Sequence, residues 1–363
     1  MVRSRAALAL AALALSALAC QPGGAPTTSP PAKPAATTAP APAAAPATTA
    51  APAAAAPTAP PARAKIEYMA IIPIVNYWHH YVAQEMGFYD GQNLDVEISY
   101  GENTSRVTQA LASGSVDLAG PSPDSVINAV EQGGGSNLVI LGGDINKIVY
   151  TLVAAKDIRS YADLRGKTLA VPGLQEGSAV VLKKMLAANG LGPDDYSFIP
   201  VGGTANRASA VVNGTAAGAL IGQPQDFRLV ADGQPALGVS SDAVPDYQFD
   251  VIAGRRDWAQ RNADTVVRFL RAVVQADRWL YDPANRERAA QIAADTLKMT
   301  PDEGLRSYDL LVTRTEAIPH QGEVSIPGMQ TVIEIMAEIN LLNPPLPPPD
   351  KYVDSSYLAR AQQ

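Results

Sequence analysis

The sequence predicts an α/β fold in two lobes, on three observations. From Ala64 onward, short apolar runs alternate with amphipathic stretches, which argues for largely parallel sheets with helices on both faces. A weak internal echo sets Ala110-Leu-Ala-Ser-Gly114-Ser-Val-Asp117-Leu-Ala-Gly-Pro121 against Ala210-Val-Val-Asn-Gly214-Thr-Ala-Ala217-Gly-Ala-Leu-Ile-Gly222. Each reads as a helix end, a Gly stop, a short strand and a Gly or Pro exit. Two apolar stretches without strong breakers, 147–155 and 249–253, flank the second unit and are read as strands crossing between lobes. Lobe 1 is then discontinuous, 64–152 plus 254–363, and lobe 2 is 153–253.

The elements follow in order. Residues 65–72 read as a strand, 76–86 as a helix, 94–100 as a strand, 104–112 as a helix, 116–119 as a strand, 122–132 as a helix and 138–141 as a strand. Gly87, Gly114 and Gly133–Gly135 fall at helix ends, where a left-handed residue costs least. The alternation returns as strand 168–171, helix 178–189, strand 196–201, helix 205–212 and strand 217–221. After Trp258 the pattern is helical at 263–279, 286–296, 301–312 and 328–339.

The first 63 residues do not belong to that pattern. Residues 1–19 read as a signal peptide: Arg3 and Arg5 precede a 14-residue run of Ala and Leu from Ala6 to Ala19, broken only by Ser16. Such a run makes ~21 Å of helix, too short for a bilayer core of ~30 Å. Two cleavage sites are open: Ala17-Leu18-Ala19 for ordinary signal peptidase, and Ser16-Ala17-Leu18-Ala19-Cys20, which resembles a bacterial lipobox with Ala17 where Leu is usual. The sole Cys of the chain stands where lipidation needs it, so Cys20 is expected to carry a lipid. Residues 20–63 read as a disordered tether: 18 Ala, 12 Pro and 7 Thr fill most of it and leave nothing large and apolar for a core.

Composition excludes several functions. Four of the 28 basic residues and none of the 35 acids precede residue 64, so the remainder carries a net charge of −11. That disfavours a nucleic-acid backbone or an anionic membrane as partner. One Cys rules out Cys-rich zinc, Fe–S and dithiol sites. There is no Walker A run, dinucleotide fingerprint or G-x-S-x-G elbow. His79 and His80 are adjacent rather than i, i+4, so their rings are not expected to share a metal, and neither a metal nor a cofactor is expected.

What stands out is the chemistry at the strand exits. In open parallel sheets, ligands bind beyond the carboxyl ends of strands, at the starts of the following helices. Those exits carry Asn76, Tyr77, Trp78 and His79; Ser122 and Asp124; Asp144 and Asn146; Gln175, Glu176 and Ser178; and Gln223 and Asp226. Together they combine aromatic faces, amides, hydroxyls and carboxylates as a small-molecule cleft does. Within the Tyr77/Trp78 pair, one side chain is expected to pack inward and the other to face the cleft.

Five motifs in order make the chain resemble bacterial solute-binding proteins of the nitrate, taurine, aliphatic-sulfonate and thiamine-pyrimidine-precursor group, which serve ABC importers. They are Tyr81-Val-Ala-Gln-Glu85-Met-Gly87-Phe-Tyr-Asp90 with Leu94-Asp-Val-Glu97, Ala110-Leu-Ala-Ser-Gly114-Ser-Val-Asp117, Asp163-Leu-Arg-Gly166-Lys-Thr-Leu-Ala-Val171, Asp282-Pro-Ala-Asn285-Arg-Glu-Arg-Ala289-Ala and Lys351-Tyr-Val-Asp354-Ser-Ser-Tyr357. The second-lobe echo departs, with Ala217 where an Asp is usual. The resemblance implies a two-lobed periplasmic-binding-protein fold, type II-like, with two crossover strands as hinge. It also implies a monomeric, lipid-anchored extracytoplasmic protein that delivers a small molecule to a permease. Relatives of this architecture include a pyrimidine synthase and a sulfinate desulfinase, both needing cysteines in the folded region, where this chain has none.

The charge at the exits bears on the ligand. Glu176, beside the helix start at Gly177-Ser178, would repel a bound anion ~4 Å away by roughly 4 kcal/mol at an effective dielectric of 20, against ~0.3–2 kcal/mol gained from the helix terminus. No Arg or Lys lies within the quoted exits. A small polar or heteroaromatic molecule, pyrimidine-precursor-like for preference, is therefore expected. A neutral or cationic nitrogen heterocycle suits Tyr77, Trp78 and the carboxylates of Asp124, Asp144, Glu176 and Asp226. A small oxyanion is the alternative, and an enzyme of the same fold is the second alternative.

Overall fold

The computed structural model of the chain describes residues 62–174 and 176–363. The signal peptide, Cys20, nearly all of the tether and Gln175 lie outside the described residues. Ten strands form two sheets: β1 (Ala64–Ala70), β2 (Leu94–Tyr100), β3 (Leu118–Gly120), β4 (Leu138–Ile145), β5 (Thr151–Ala154), β6 (Lys167–Val171), β7 (Tyr196–Pro200), β8 (Gly218–Ile221), β9 (Ala236–Val239) and β10 (Asp250–Arg255). The first sheet is ordered β2-β1-β3-β10-β4 and the second β7-β6-β8-β5-β9.

Each sheet is mixed, where largely parallel sheets were expected. β1 runs parallel to β2 and β3, but β10 is antiparallel to β3 and β4. In the second sheet β6 runs parallel to β7 and β8, and β5 is antiparallel to β8 and β9. The two reversed strands are the first ones after each crossing. Strands in a doubly wound sheet run toward the ligand edge; a chain arriving from the other lobe enters at that edge and must run away from it.

The internal echo maps onto equivalent places. Helix Thr104–Ser113 ends at left-handed Gly114 (φ 83°) and feeds β3, while helix Thr204–Val212 is followed by left-handed Gly214 (φ 70°) and β8. β3 and β8 each lie third in their sheet. Asp117 uses its carboxylate to take the Glu67 N–H at 2.9 Å, alongside a backbone bond from its own N–H to Glu67 O. At the second-lobe counterpart, Ala217 keeps only the backbone bond, to Thr168 O.

Lobe 1 is closed by helices that the pattern after Trp258 predicts. Helix Ala263–Leu280 buries Val266, Phe269, Leu270 and Val273 on one face, and each such side chain contributes ~1.5–3 kcal/mol relative to exposure. Helix Arg286–Leu297 follows, then Pro301–Tyr308, which continues as a π-helical turn over Asp309–Arg314 rather than as one α-helix. Helix Trp78–Glu85 is sandwiched among these, which is why six of its eight residues are buried.

The chain passes between lobes at 146–150 and 240–249. β5 belongs wholly to the second sheet and β10 to the first, so the lobe boundaries fall a few residues from those expected. The two crossings are laced together. Ser240 Oγ donates to Ile148 O at 2.7 Å and accepts from Tyr150 N at 2.9 Å, while its own N–H donates to Tyr150 O. Further along, Phe249 N–H donates to Ile145 O, and the Gln248 amide to the same carbonyl.

Candidate functional site

Four helices begin at the cleft between the lobes. Thr104–Ser113 and Pro123–Glu131 bring their N-terminal residues Asn103, Thr104 and Ser122 from lobe 1. Gly177–Ala188 and Thr204–Val212 bring Glu176, Ser178, Gly203 and Thr204 from lobe 2. The cavity between them has a volume of about 330 Å³ and continues into a second part of about 260 Å³ near Gln223. Helix starts present free N–H groups and the positive end of the dipole, so electron-rich ligand atoms are favoured on both sides.

The floor of the cleft is aromatic and acidic. Tyr150 and Phe249, one from each crossing, stand edge to face with centroids 5.4 Å apart. Beside them Asn76 Nδ2 donates to Asp250 Oδ2 at 2.7 Å, in a buried pair that reaches the cavity. Burial pushes the Asp250 carboxyl up to about 8; the Asn76 bond opposes this, and the nearby Asp144 and Asp124 charges add to it. At neutral pH the group is therefore a carboxylic acid, able both to donate and to accept.

Lobe 2 supplies a cation that the sequence reading missed. Arg207 is buried, donating to Leu220 O (3.0 Å), Gly202 O (2.8 Å) and Thr204 Oγ1 (3.1 Å) while lining the cavity. Those bonds engage three of its five N–H groups. The signal was available: the strand exit Val201-Gly202-Gly203-Thr204 has the same form as the others, and Arg207 lies one turn into its helix. Glu176 also lines the cavity. Its side chain makes no cap bond and stays exposed, yet protein surrounds it closely enough to raise its pKa through desolvation and the Asp124 charge, with Arg207 opposing.

The structure distributes the other sequence-predicted residues unevenly. Asn76, Ser122, Glu176 and Ser178 meet at the cleft. Gln223 lines the adjoining part, but its amide is spent on Val149 O and Asp226 Oδ2. Asp226 is itself buried and holds the Thr151 hydroxyl, so it fastens lobe 2 rather than facing the cavity. Asp124 sits in the first turn beside Ser122, with its pKa raised by burial.

Besides Asp226, five residues require correction. Tyr77 and Trp78 are both fully buried, instead of one facing the cleft. The Tyr77 hydroxyl donates to Gly120 O and accepts from Ile71 N; Trp78 Nε1 donates to Ala289 O, and its ring meets Tyr308 edge-on. A 3₁₀ turn at Val75–Tyr77 and cover on all sides of the next helix leave neither ring a solvent face. Asn146 turns away, its amide donating to Glu323 O. His79 and Asp144 lie inside lobe 1, where His79 Nε2 and His80 Nε2 approach the same Asp144 oxygen at 3.0 and 2.8 Å. Adjacency did not keep the two rings apart, because they stand at 82° to each other and the carboxylate sits in the angle between them.

With this geometry in place, comparison with known proteins identifies the family. A profile described as NMT1/THI5 like matches residues 75–285, and the chain belongs to that family. A Brucella abortus (strain 2308) protein provisionally named as a binding protein is 25% identical over 300 residues, covering 79% of this chain and 90% of its own. The formylaminopyrimidine-binding protein of Halalkalibacterium halodurans is 24% identical over 268 residues, covering 72% and 74%. The periplasmic nitrate-binding protein of Synechocystis PCC 6803 superposes with a TM-score of 0.68 at 18% identity, over 84% of this chain and 90% of its own, which shows the shared fold. An enzyme is also among the relatives: the 4-amino-5-hydroxymethyl-2-methylpyrimidine phosphate synthase of Schizosaccharomyces pombe is 28% identical over 142 residues, 39% of each chain.

Proposed function

We propose that this protein is an extracytoplasmic solute-binding protein that closes on a small heteroaromatic molecule of the pyrimidine-precursor type and hands it to an ABC importer. The observation that carries this reading is the cleft floor, where the Tyr150/Phe249 pair adjoins the Asn76/Asp250 pair. A flat ring with exocyclic nitrogen can stack on the former and exchange hydrogen bonds with the latter. Pyrimidine chemistry recurs among the relatives, and the cavity of about 330 Å³ suits a single ring. Capture rather than catalysis is favoured by the relatives named as binding proteins, and no Cys lies among the described residues. Among the described residues no helix is long and apolar enough to cross a membrane, and Cys20 is the proposed anchor.

A second reading is favoured by Arg207. A buried guanidinium with four helix starts around it could hold a sulfonate, taurine or nitrate instead. Thermal unfolding of the mature protein against a panel of 4-aminopyrimidines, taurine, an alkanesulfonate and nitrate separates the two. At a ligand concentration of 100 times Kd the native state gains ~2.7 kcal/mol, which reads as a rise of several degrees. A rise with aminopyrimidines alone, with the ligand recovered unchanged, supports the first reading; a rise with the oxyanions alone replaces it with the second.

A further inference from the structure

His79 and His80 open the helix Trp78–Glu85, and their Nε2 atoms converge on Asp144 Oδ1 at the end of β4. All three side chains are fully buried. Their other atoms face the kinds of group that orient metal ligands. His79 Nδ1 faces Asp277 Oδ1 at 3.0 Å, His80 Nδ1 meets the Tyr89 hydroxyl at 2.6 Å, and the Tyr68 hydroxyl donates to Asp144 Oδ2 at 2.8 Å.

Charge supplies an independent observation. Asp144 and Asp277 place two carboxylates in the interior, and the only cationic groups within ion-pair distance of either, among the described residues, are the two imidazoles. Both Asp277 oxygens and His79 Nδ1 are buried without a hydrogen bond of good geometry. An interior carboxylate left that way is costly. Two neutral imidazoles, two carboxylates and one divalent cation sum to zero.

We propose that His79, His80 and Asp144 form a buried site for a first-row divalent cation such as Zn(II), with Asp277 and Tyr89 orienting the two rings. Two imidazoles and a carboxylate are donors such ions prefer. Metal bonds of ~2.0–2.2 Å set tetrahedral ligand atoms ~3.3 Å apart, so the two His–Asp144 separations, 3.0 and 2.8 Å here, widen by only about 0.3–0.5 Å on loading. The site lies apart from the cleft, and its effect there is positional: it ties the helix after Asn76 to the strand that leads into the first crossing.

The test uses the untagged full chain, unfolded, stripped of metal and refolded with Zn(II) or Co(II). Elemental analysis is expected to find one ion per chain, and the Co(II) form to show ligand-field absorption in the visible. Asp277→Asn should weaken metal affinity ~10–100-fold while leaving the chain folded, as loss of an orienting partner does. His80→Gln should abolish the ion. Should His80→Gln fail to fold, the ~10–100-fold loss of affinity in Asp277→Asn carries the test, and unchanged metal affinity there would overturn the proposal. Native circular dichroism with no bound metal in excess Zn(II), and an NMR spectrum showing both protons on the His79 ring, would mean that a proton holds the cluster together, and would overturn the proposal. Full metal retention in a folded His80→Gln would overturn it as well.

Discussion

Tyr150 and Phe249 meet edge to face where the two crossings run side by side, with ring centroids 5.4 Å apart at 87°. If this pair grips a ring, Phe249→Ala should weaken aminopyrimidine binding by ~1–3 kcal/mol, about 5- to 150-fold. Nitrate and sulfonate responses should not change. Isothermal titration of both proteins checks this, and equal loss for every ligand would point to a collapsed hinge instead.

Glu176 offers a cleaner separation of roles. Its side chain makes no cap bond, so Glu176→Gln should shift stability by only a few tenths of a kcal/mol through the helix terminus. If its carboxylate accepts a ligand N–H, affinity should drop by ~1.5–3 kcal/mol. Unchanged affinity with a small stability shift would restrict Glu176 to the helix end.

Asp250 makes stability depend on pH. Its folded pKa is raised to about 8 from the ordinary carboxyl value, with Asp144 and Asp124 as the charged neighbours adding to the burial effect. The native state therefore holds this proton where the unfolded chain has lost it. The contribution is fully present below about pH 4 and is lost as pH rises through about 8, with a limiting slope of ~1.4 kcal/mol per pH unit. Urea midpoints from pH 5 to 9 should fall less steeply in Asp250→Asn than in the parent, and parallel curves would count against the assignment.

Arg207→Gln separates fold from anion recognition. Loss of the donors to Leu220 O and Gly202 O should cost ~1–3 kcal/mol for each acceptor left dry. On the heteroaromatic reading, aminopyrimidine affinity in the folded variant stays within a few-fold of the parent. A selective loss of oxyanion binding, seen in ligand-dependent melting, would favour the second reading.

Anchoring is tested by mass spectrometry of membrane-extracted protein. The mature chain should begin at Cys20 with a lipid attached. An unmodified chain starting there, or one cut further along, would replace the anchored form with a released one.

The sequence made the repeating units legible because each strand and helix carries its own period, and the echo at Gly114 and Gly214 marks two equivalent turns. It also pointed to the cleft at Asn76, Ser122, Glu176 and Ser178, since helix starts follow strand ends whatever the tertiary packing. Trp78 and Tyr77 were misread because a short apolar helix near an exit gives no sign of how many neighbours will cover it; here helices from the far end of the chain do so. Tyr150 and Phe249 were visible only as parts of apolar runs, and what makes them a pair is the lacing of two segments about a hundred residues apart. The His79/His80/Asp144/Asp277 cluster could not be assembled from spacing, since its members come from one helix start, one strand end and one distant helix.

The lacing through Ser240 has a consequence for how a ligand is held. Two strips of chain fastened to each other bend together about one line and resist sliding, so points near that line travel least when the lobes swing. Tyr150 and Phe249 sit on the strips themselves, whereas Glu176 and Arg207 belong to the helix starts of lobe 2. If the lobes swing as proposed, rings on the pivot would meet an incoming molecule equally well before and after the swing, and so would favour neither posture. If the protein closes on its ligand as proposed, Glu176 at the cleft's lobe 2 rim would make its contact late, and that contact would bias the closed form.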